Sequence, residues 1–316
     1  MRMVRRRALA LTLLLVAVAG ACERAAESRV PSGPARPSEA LRAPIGGGPI
    51  TFSKAGDPYR GLGTWIDIYD AEAWDSPEAT VEAMAARGVR TIYLQTSNFS
   101  RGRPFVHPEG VVRFLDAGAA HGLDVVAWYL PGFRDVRIDL RRTLAAIRLT
   151  TPAGNRFDSF ALDIESPEVR RQDARTRRLL NLSERLRRIV GSDYRLGAIV
   201  PSPRGVRTNT WYWPSFPYRD IADLYDVFLP MTYFTWRVTG RDGAAWYTAK
   251  NILILRQETV GMNVPIHVIG GIASDASTQE TRGFVDTIRS RDVIGASYYT
   301  FPSIRDEQWK ALGAIR

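Results

Sequence analysis

The stretch Phe157-Asp158-Ser159-Phe160-Ala161-Leu162-Asp163-Ile164-Glu165 reads as a buried strand carrying two carboxylates, Asp163 and Glu165, to one face at its C-terminal end. Side chains two apart on a strand point the same way. Two acids buried side by side are costly unless they are paired, hydrogen-bonded or used. One carboxyl held protonated beside another held ionised is the arrangement that hydrolysis of a glycosidic bond requires. On this reading apolar walls and the charge of Asp163 both raise the pKa of Glu165, which serves as general acid while Asp163 stays ionised. The competing reading is a structural network, each acid paired to an arginine or capping the helix that follows. Asp67, in Trp65-Ile66-Asp67, is a third acid: a catalytic partner or a hydrogen-bond anchor.

These acids need a frame. From residue 58 to residue 316 short apolar runs alternate with longer amphipathic ones, the pattern of a parallel sheet with helical crossovers. The runs predict eight strands: Gly63–Tyr69, Arg90–Thr96, Asp124–Leu130, Ser159–Glu165, Arg195–Pro201, Val227–Phe234, Pro265–Gly271 and Ile294–Phe301. Ser76-Pro77-Glu78 and Ser166-Pro167-Glu168 have the form of helix starts, a capping serine followed by proline and an acid. Leu179, Leu182, Leu186 and Ile189 form a core-facing stripe on the fourth helix. Gly88 and Gly122 end the first two helices. Eight units in a segment close to the roughly 250 residues of a (β/α)8 barrel, with no Gly-rich dinucleotide fingerprint, predict an α/β fold made of a single (β/α)8 TIM barrel.

In such barrels chemistry sits at the C-terminal strand ends. The first strand brings Trp65, Asp67 and Tyr69 there; the second, Tyr93 and Gln95; the fourth, Asp163 and Glu165; the sixth, Met231, Tyr233 and then Trp236; the eighth, Ser297 and Tyr299. Tyr233, Trp65, Gln95, Tyr93, Trp128, Met231, Trp236 and Tyr299 are therefore the expected substrate-binding residues, since aromatic faces hold sugar rings. The bland alternative for any one of them is packing. Trp211, Tyr212, Trp213, Phe216 and Tyr218 crowd the loop after the fifth strand, and Gly270-Gly271 reads as a tight turn rather than a phosphate cradle.

At this point a resemblance becomes visible. Asp158 through Glu165 resembles the D-x-x-D-x-D-x-E strand-four signature of glycoside hydrolase family 18, the chitinases and endo-N-acetylglucosaminidases, and Met231-Thr232-Tyr233 resembles that family's M-T-Y-D. The resemblance implies Glu165 as general acid, with Asp163 and Tyr233 orienting a substrate acetamido group. The chain departs from it at Ala161, where the signature has its middle aspartate, and at Phe234, where an aspartate follows the tyrosine. Glycoside hydrolase family 25, the wall lysozymes, resembles it in its central D-x-E and in an aspartate matching Asp67. Gly61 through Asp67, together with Ala127-Trp128-Tyr129-Leu130-Pro131 and Ala161 through Glu165, is similar to secreted actinobacterial barrels grouped with the glycoside hydrolases. These resemblances imply a retaining glycoside hydrolase acting on a cell-wall or extracellular glycan. The loss of two acids leaves open a non-catalytic carbohydrate-binding lipoprotein on the same scaffold.

Other chemistries find little support. His107, His121 and His267 are the only histidines, and none has metal-ligand spacing. No nucleophile-elbow motif is present, and no cofactor or metal is expected. The chain opens with Arg2, Arg5, Arg6 and Arg7, an apolar run from Ala8 to Ala19, and Gly20-Ala21-Cys22, the pattern of a secretory signal. Ala19-Gly20-Ala21-Cys22 resembles a lipobox, which implies lipidation of Cys22, the sole cysteine. The expected organisation is a lipoprotein-type signal peptide over 1–21, a flexible Pro/Gly/Ala-rich tether over 22–57 and the barrel over 58–316. The expected location is the outer face of the cytoplasmic membrane, reached only through the lipid, or the medium. Removing 1–21 lowers the net charge from +10 to +6, with no basic block to suggest a nucleic-acid partner. A monomer meeting a glycan is the expected state.

Overall fold

The computed structural model describes residues 57–209 and 211–315. The signal segment, Cys22 and the tether up to residue 56 lie outside the described residues.

Eight parallel strands, β1 (Gly61–Ile66), β2 (Thr91–Asn98), β3 (Asp124–Leu130), β4 (Ser159–Asp163), β5 (Leu196–Val200), β6 (Val227–Pro230), β7 (His267–Ile272) and β8 (Gly295–Tyr299), pair in the order β6-β5-β4-β3-β2-β1-β8-β7. The open edges meet through bridges Phe228–Ile266 and Met231–Ile269. There Phe228 N donates to Pro265 O at 3.0 Å and Thr232 N to Ile269 O at 2.9 Å, which brings the sheet round into a (β/α)8 barrel. Outside it run α1 (Ala71–Asp75), α2 (Pro77–Ala86), α3 (Pro108–His121), α4 (Val136–Ile147), α5 (Gln172–Val190), α6 (Pro203–Thr208), α7 (Tyr218–Ala222), α8 (Gly240–Glu258), α9 (Thr278–Ser290) and α10 (Asp306–Leu312).

Several helices begin where side chains satisfy their first N–H groups. Asp135 accepts from Arg137 N at 2.9 Å ahead of α4, and Ser277 and Glu280 form a reciprocal capping box at α9. The expected start at Pro167 is not used. Ser166 Oγ accepts from Glu168 N at 3.3 Å and Ser166 O accepts from Arg175 at 3.3 Å, so the carbonyl that would have opened a helix is engaged and the chain stays irregular until Gln172. In α5 the buried stripe is Leu179, Leu182, Leu186 and Val190. Ile189, expected in that stripe, is exposed, because the last step inward is four residues rather than three.

The barrel interior is solid. Tyr59, Trp65, Tyr93, Val126, Trp128, Ala161, Ile199, Val227, Leu229, Met231 and Ile269 form one buried cluster. Trp65 stacks on Tyr93 with ring centroids 4.2 Å apart and meets Trp128 edge-on at 5.7 Å. Burying each such ring contributes on the order of 2–3 kcal/mol. Gly63 permits the stack, for a Cβ there would lie 2.6 Å from the Tyr93 ring. Tyr59 seals the far end, its hydroxyl 2.8 Å from Ser159 Oγ. Everything polar and reachable in the lumen is thereby pushed to the C-terminal mouth.

Candidate active site

β4 ends at Asp163, two residues earlier than the alternation suggests. Ile164 N still donates to Ile199 O at 2.8 Å, so the chain remains beside β5 for one residue more before Glu165 opens the loop. Ala161 lies in the packed lumen below. Asp163 is 5% exposed and Glu165 is partly exposed, so the aspartate is the deeper of the two. Asp163 Oδ1 is buried with no hydrogen-bond partner. The loop is held firmly: the Tyr212 hydroxyl donates to Glu165 O, and Arg175 donates to both Ser166 O and Tyr212 O. The guanidinium of Arg175 lies 4.0 Å from the Trp213 ring centroid, a cation–π contact that helps keep this buried cation in place.

Burial pushes the Glu165 carboxyl up to about 7. Burial, and then the charge of Glu165, push Asp163 well above the usual carboxylate range. Burial thus works against the expectation that Asp163 stays ionised while Glu165 holds the proton. The deeper seat of Asp163 gives it the heavier desolvation, and the two acids act as a pair that retains a proton near neutral pH.

A second pair of acids stands at the end of β1. Asp67 accepts from the Tyr299 hydroxyl at 2.8 Å and from Tyr69 N at 2.7 Å, and its own N–H donates to Asp70 at 2.9 Å. Burial raises Asp67; burial and the charge of Asp67 raise Asp70 to about 7. Tyr299 leads back to the first pair, its ring centroid 6.2 Å from that of Tyr233. The Tyr233 hydroxyl is held well above its ordinary value by burial and then by the charges of Glu165, Asp163 and Asp67, so all three acids act on this one phenol.

The structure therefore brings together Asp67, Asp163, Glu165, Tyr233 and Tyr299, with the last two partly exposed. Trp65, Tyr93, Trp128 and Met231 are buried as the packed floor beneath them. Gln95 is buried too and braces the loop after β1, accepting from Ile68 N at 3.0 Å. Trp236 is 58% exposed after β6, at φ 62°, a left-handed conformation uncommon for so bulky a residue. Phe234 is fully buried against Phe284 and Tyr298, between sheet and helix. Cβ atoms at Gly270 and Gly271 would strike the rings of Tyr298 and Phe234, so this pair of glycines is explained by packing. Asp70 was not among the expected site residues, although its three-residue spacing from Asp67 was available as a signal. Arg175 gave no sequence signal of its role, because its carbonyl partners come from two separate loops. Among the described residues no group of three or more His, Cys, Asp or Glu is placed to hold a metal ion.

No protein-family profile matches the chain, and no curated protein matches it in sequence. Solved structures do share its fold. An endo-β-1,4-mannanase from Thermotoga petrophila superposes with TM-score 0.59 at 11% identity, over 78% of this chain and 68% of that one. A GH18 chitinase from Pseudoalteromonas aurantia gives TM-score 0.52 at 14% identity, over 79% and 97%. The glycoside hydrolase domain of PgaB from Bordetella bronchiseptica gives 0.53 at 14% identity, over 80% and 98%. At such identities the likeness is one of fold.

Proposed function

We propose that the protein is a retaining glycoside hydrolase acting on a cell-wall or extracellular glycan, with Asp163 and Glu165 at its centre. The observation that carries this reading is the acid pair at the end of β4, Asp163 buried with its Oδ1 unpartnered and Glu165 partly exposed, beside Tyr233, whose hydroxyl is raised by burial and then by the charges of both acids. Glycoside hydrolases among the solved structures of this fold support it.

In this reading Glu165 gives its proton to the glycosidic oxygen as the bond to C1 breaks. With the proton of the pair on Glu165, Asp163 is ionised and steadies the positive charge that develops on the ring. On a 2-acetamido sugar the acetyl oxygen attacks C1, oriented by Asp163 and Tyr233; on other sugars the attacking carboxylate is Asp67 or Asp163. Glu165, now ionised, then takes the proton of the water that releases the product.

A second reading, a carbohydrate-binding protein without turnover, is favoured by one feature: Ala161 leaves the lumen below Asp163 without the acid of the family 18 signature. Incubation with chitooligosaccharides, peptidoglycan and neutral glycans, alongside Glu165→Gln, separates the two. Release of reducing ends that falls by about 100-fold or more in the variant, while binding persists, is the outcome expected for the enzyme. Binding without release by either protein supports the second reading.

A further inference from the structure

The chain carries 43 lysines and arginines against 33 acids. Several of its cations pair with acids elsewhere: Arg87 with Asp306, Arg113 with Glu78, Arg134 with Glu168, Arg187 with Asp226, Arg195 with Asp57 and Arg241 with Asp286. Among the described residues, no lysine or arginine forms an ion pair with Asp67, Asp70, Asp163 or Glu165. Arg175 stands behind Tyr212 with its terminal nitrogens given to the carbonyls of Ser166 and Tyr212. Arg101 lies at the rim, 5.3 Å from the Tyr69 ring centroid. Other titratable groups here are Tyr69, Tyr212, Tyr233 and Tyr299, Arg103, and His107, whose Nε2 is 2.8 Å from Ile68 O. Four carboxyls thus stand at the mouth with no cation paired to any of them among the described residues, and Asp163 Oδ1 is buried with no hydrogen-bond partner.

Acids that stand at one mouth with no arginine or lysine paired to them leave their counter-charge to come from outside. We propose that the sugar bound at this mouth carries a protonated amine, as in a 2-amino-2-deoxy sugar, and that Asp163 together with the Asp67–Asp70 pair supplies its counter-charge. This rests on the mouth being the glycan site proposed above, and it names the class of sugar. A neutral or N-acetylated ring leaves the four acids uncompensated, whereas an ammonium group donates to Asp163 and draws the pairs toward ionisation. The direction of those shifts agrees, since each of the four carboxyls is raised by burial and none is lowered by a cation. The chain's overall positive charge repels a polyamine, so tight binding must come from the mouth itself.

The test is titration calorimetry of the full chain with three tetramers: β-1,4-linked glucosamine, its fully N-acetylated counterpart and β-1,4-linked mannose. Measurements are made near neutral pH in two buffers of different ionisation enthalpy. The glucosamine tetramer is expected to bind at least about tenfold more tightly than the other two, to weaken on addition of salt, and to release protons to the buffer. Asp70→Asn and, separately, Asp163→Asn, each checked for native circular dichroism, are expected to reduce that preference several-fold. Equal or tighter binding of the acetylated or mannose tetramer overturns the proposal, as does no binding of the glucosamine tetramer, or binding indifferent to both substitutions. The hydrolase reading fails separately. Glucosamine binding without bond cleavage removes the hydrolase and leaves the preference, while Glu165-dependent cleavage of a neutral glycan leaves the hydrolase and removes the preference.

Discussion

Asp163 and Glu165 weaken the fold they belong to, and that is measurable. Glu165 titrates near 7 when folded, against about 4.3 in an unfolded chain, so the native state holds its proton more tightly than the unfolded state does. Stability is therefore greatest below the unfolded value and declines as the pH rises toward the folded one. Glu165→Gln is expected to leave Tm nearly unchanged at about pH 4 and to raise stability by about 1–3 kcal/mol at about pH 8, read by calorimetry at both. An equal Tm for the two proteins at the higher pH would mean that Glu165 is well solvated and carries no proton for chemistry. The alternation of Asp163, Ile164 and Glu165 was enough to pair the acids from sequence. It could not show which lies deeper, because depth depends on Ala161 beneath and on Tyr212 and Tyr233 arriving from other loops. Asp70 escaped for a related reason: its importance comes from a hydrogen bond that it accepts from Asp67 N, and the three-residue spacing alone does not show that this bond forms.

The elements that matter most are the loops leaving β4 and β5, joined by one buried arginine. Arg175 lies on α5, is 2% exposed, and reaches the carbonyls on either side of the site, Ser166 after β4 and Tyr212 after β5. Arg175→Ala removes a charged donor from two buried carbonyls, which costs about 3 kcal/mol and lowers Tm by roughly 6–12 °C in a domain of this size. A Tm within a degree of the parent would show that the clamp is not what holds the Glu165 loop. The eight strands were legible because apolar runs and amphipathic stretches alternate, but their ends were not. Asp67, Glu165 and Tyr233 continue the period-2 pattern beyond the last ladder bond, and side-chain periodicity does not register where backbone pairing stops. The start of α5 was displaced for the same kind of reason, since Arg175 captures the carbonyl of Ser166.

At the scale of the whole molecule the design is a packed cylinder with one chemically distinct end. The aromatic stack of Trp65, Tyr93 and Trp128 fills the lumen, so no ligand passes through it and any chemistry is confined to the rim where the β1 and β4 acids stand. On the outside several arginines pair with surface acids, while the acids of the mouth stand among phenols with no cation paired to them among the described residues. The most direct measurement of the central claim is a crystal structure of the Glu165→Gln chain soaked with the oligosaccharide it binds best. The account predicts a sugar seated over Tyr233, with a glycosidic oxygen about 2.6–3.2 Å from the side chain of residue 165 and Asp163 facing the same ring. A sugar bound anywhere else on the barrel, or one at the mouth with both side chains turned from it, would contradict the claim.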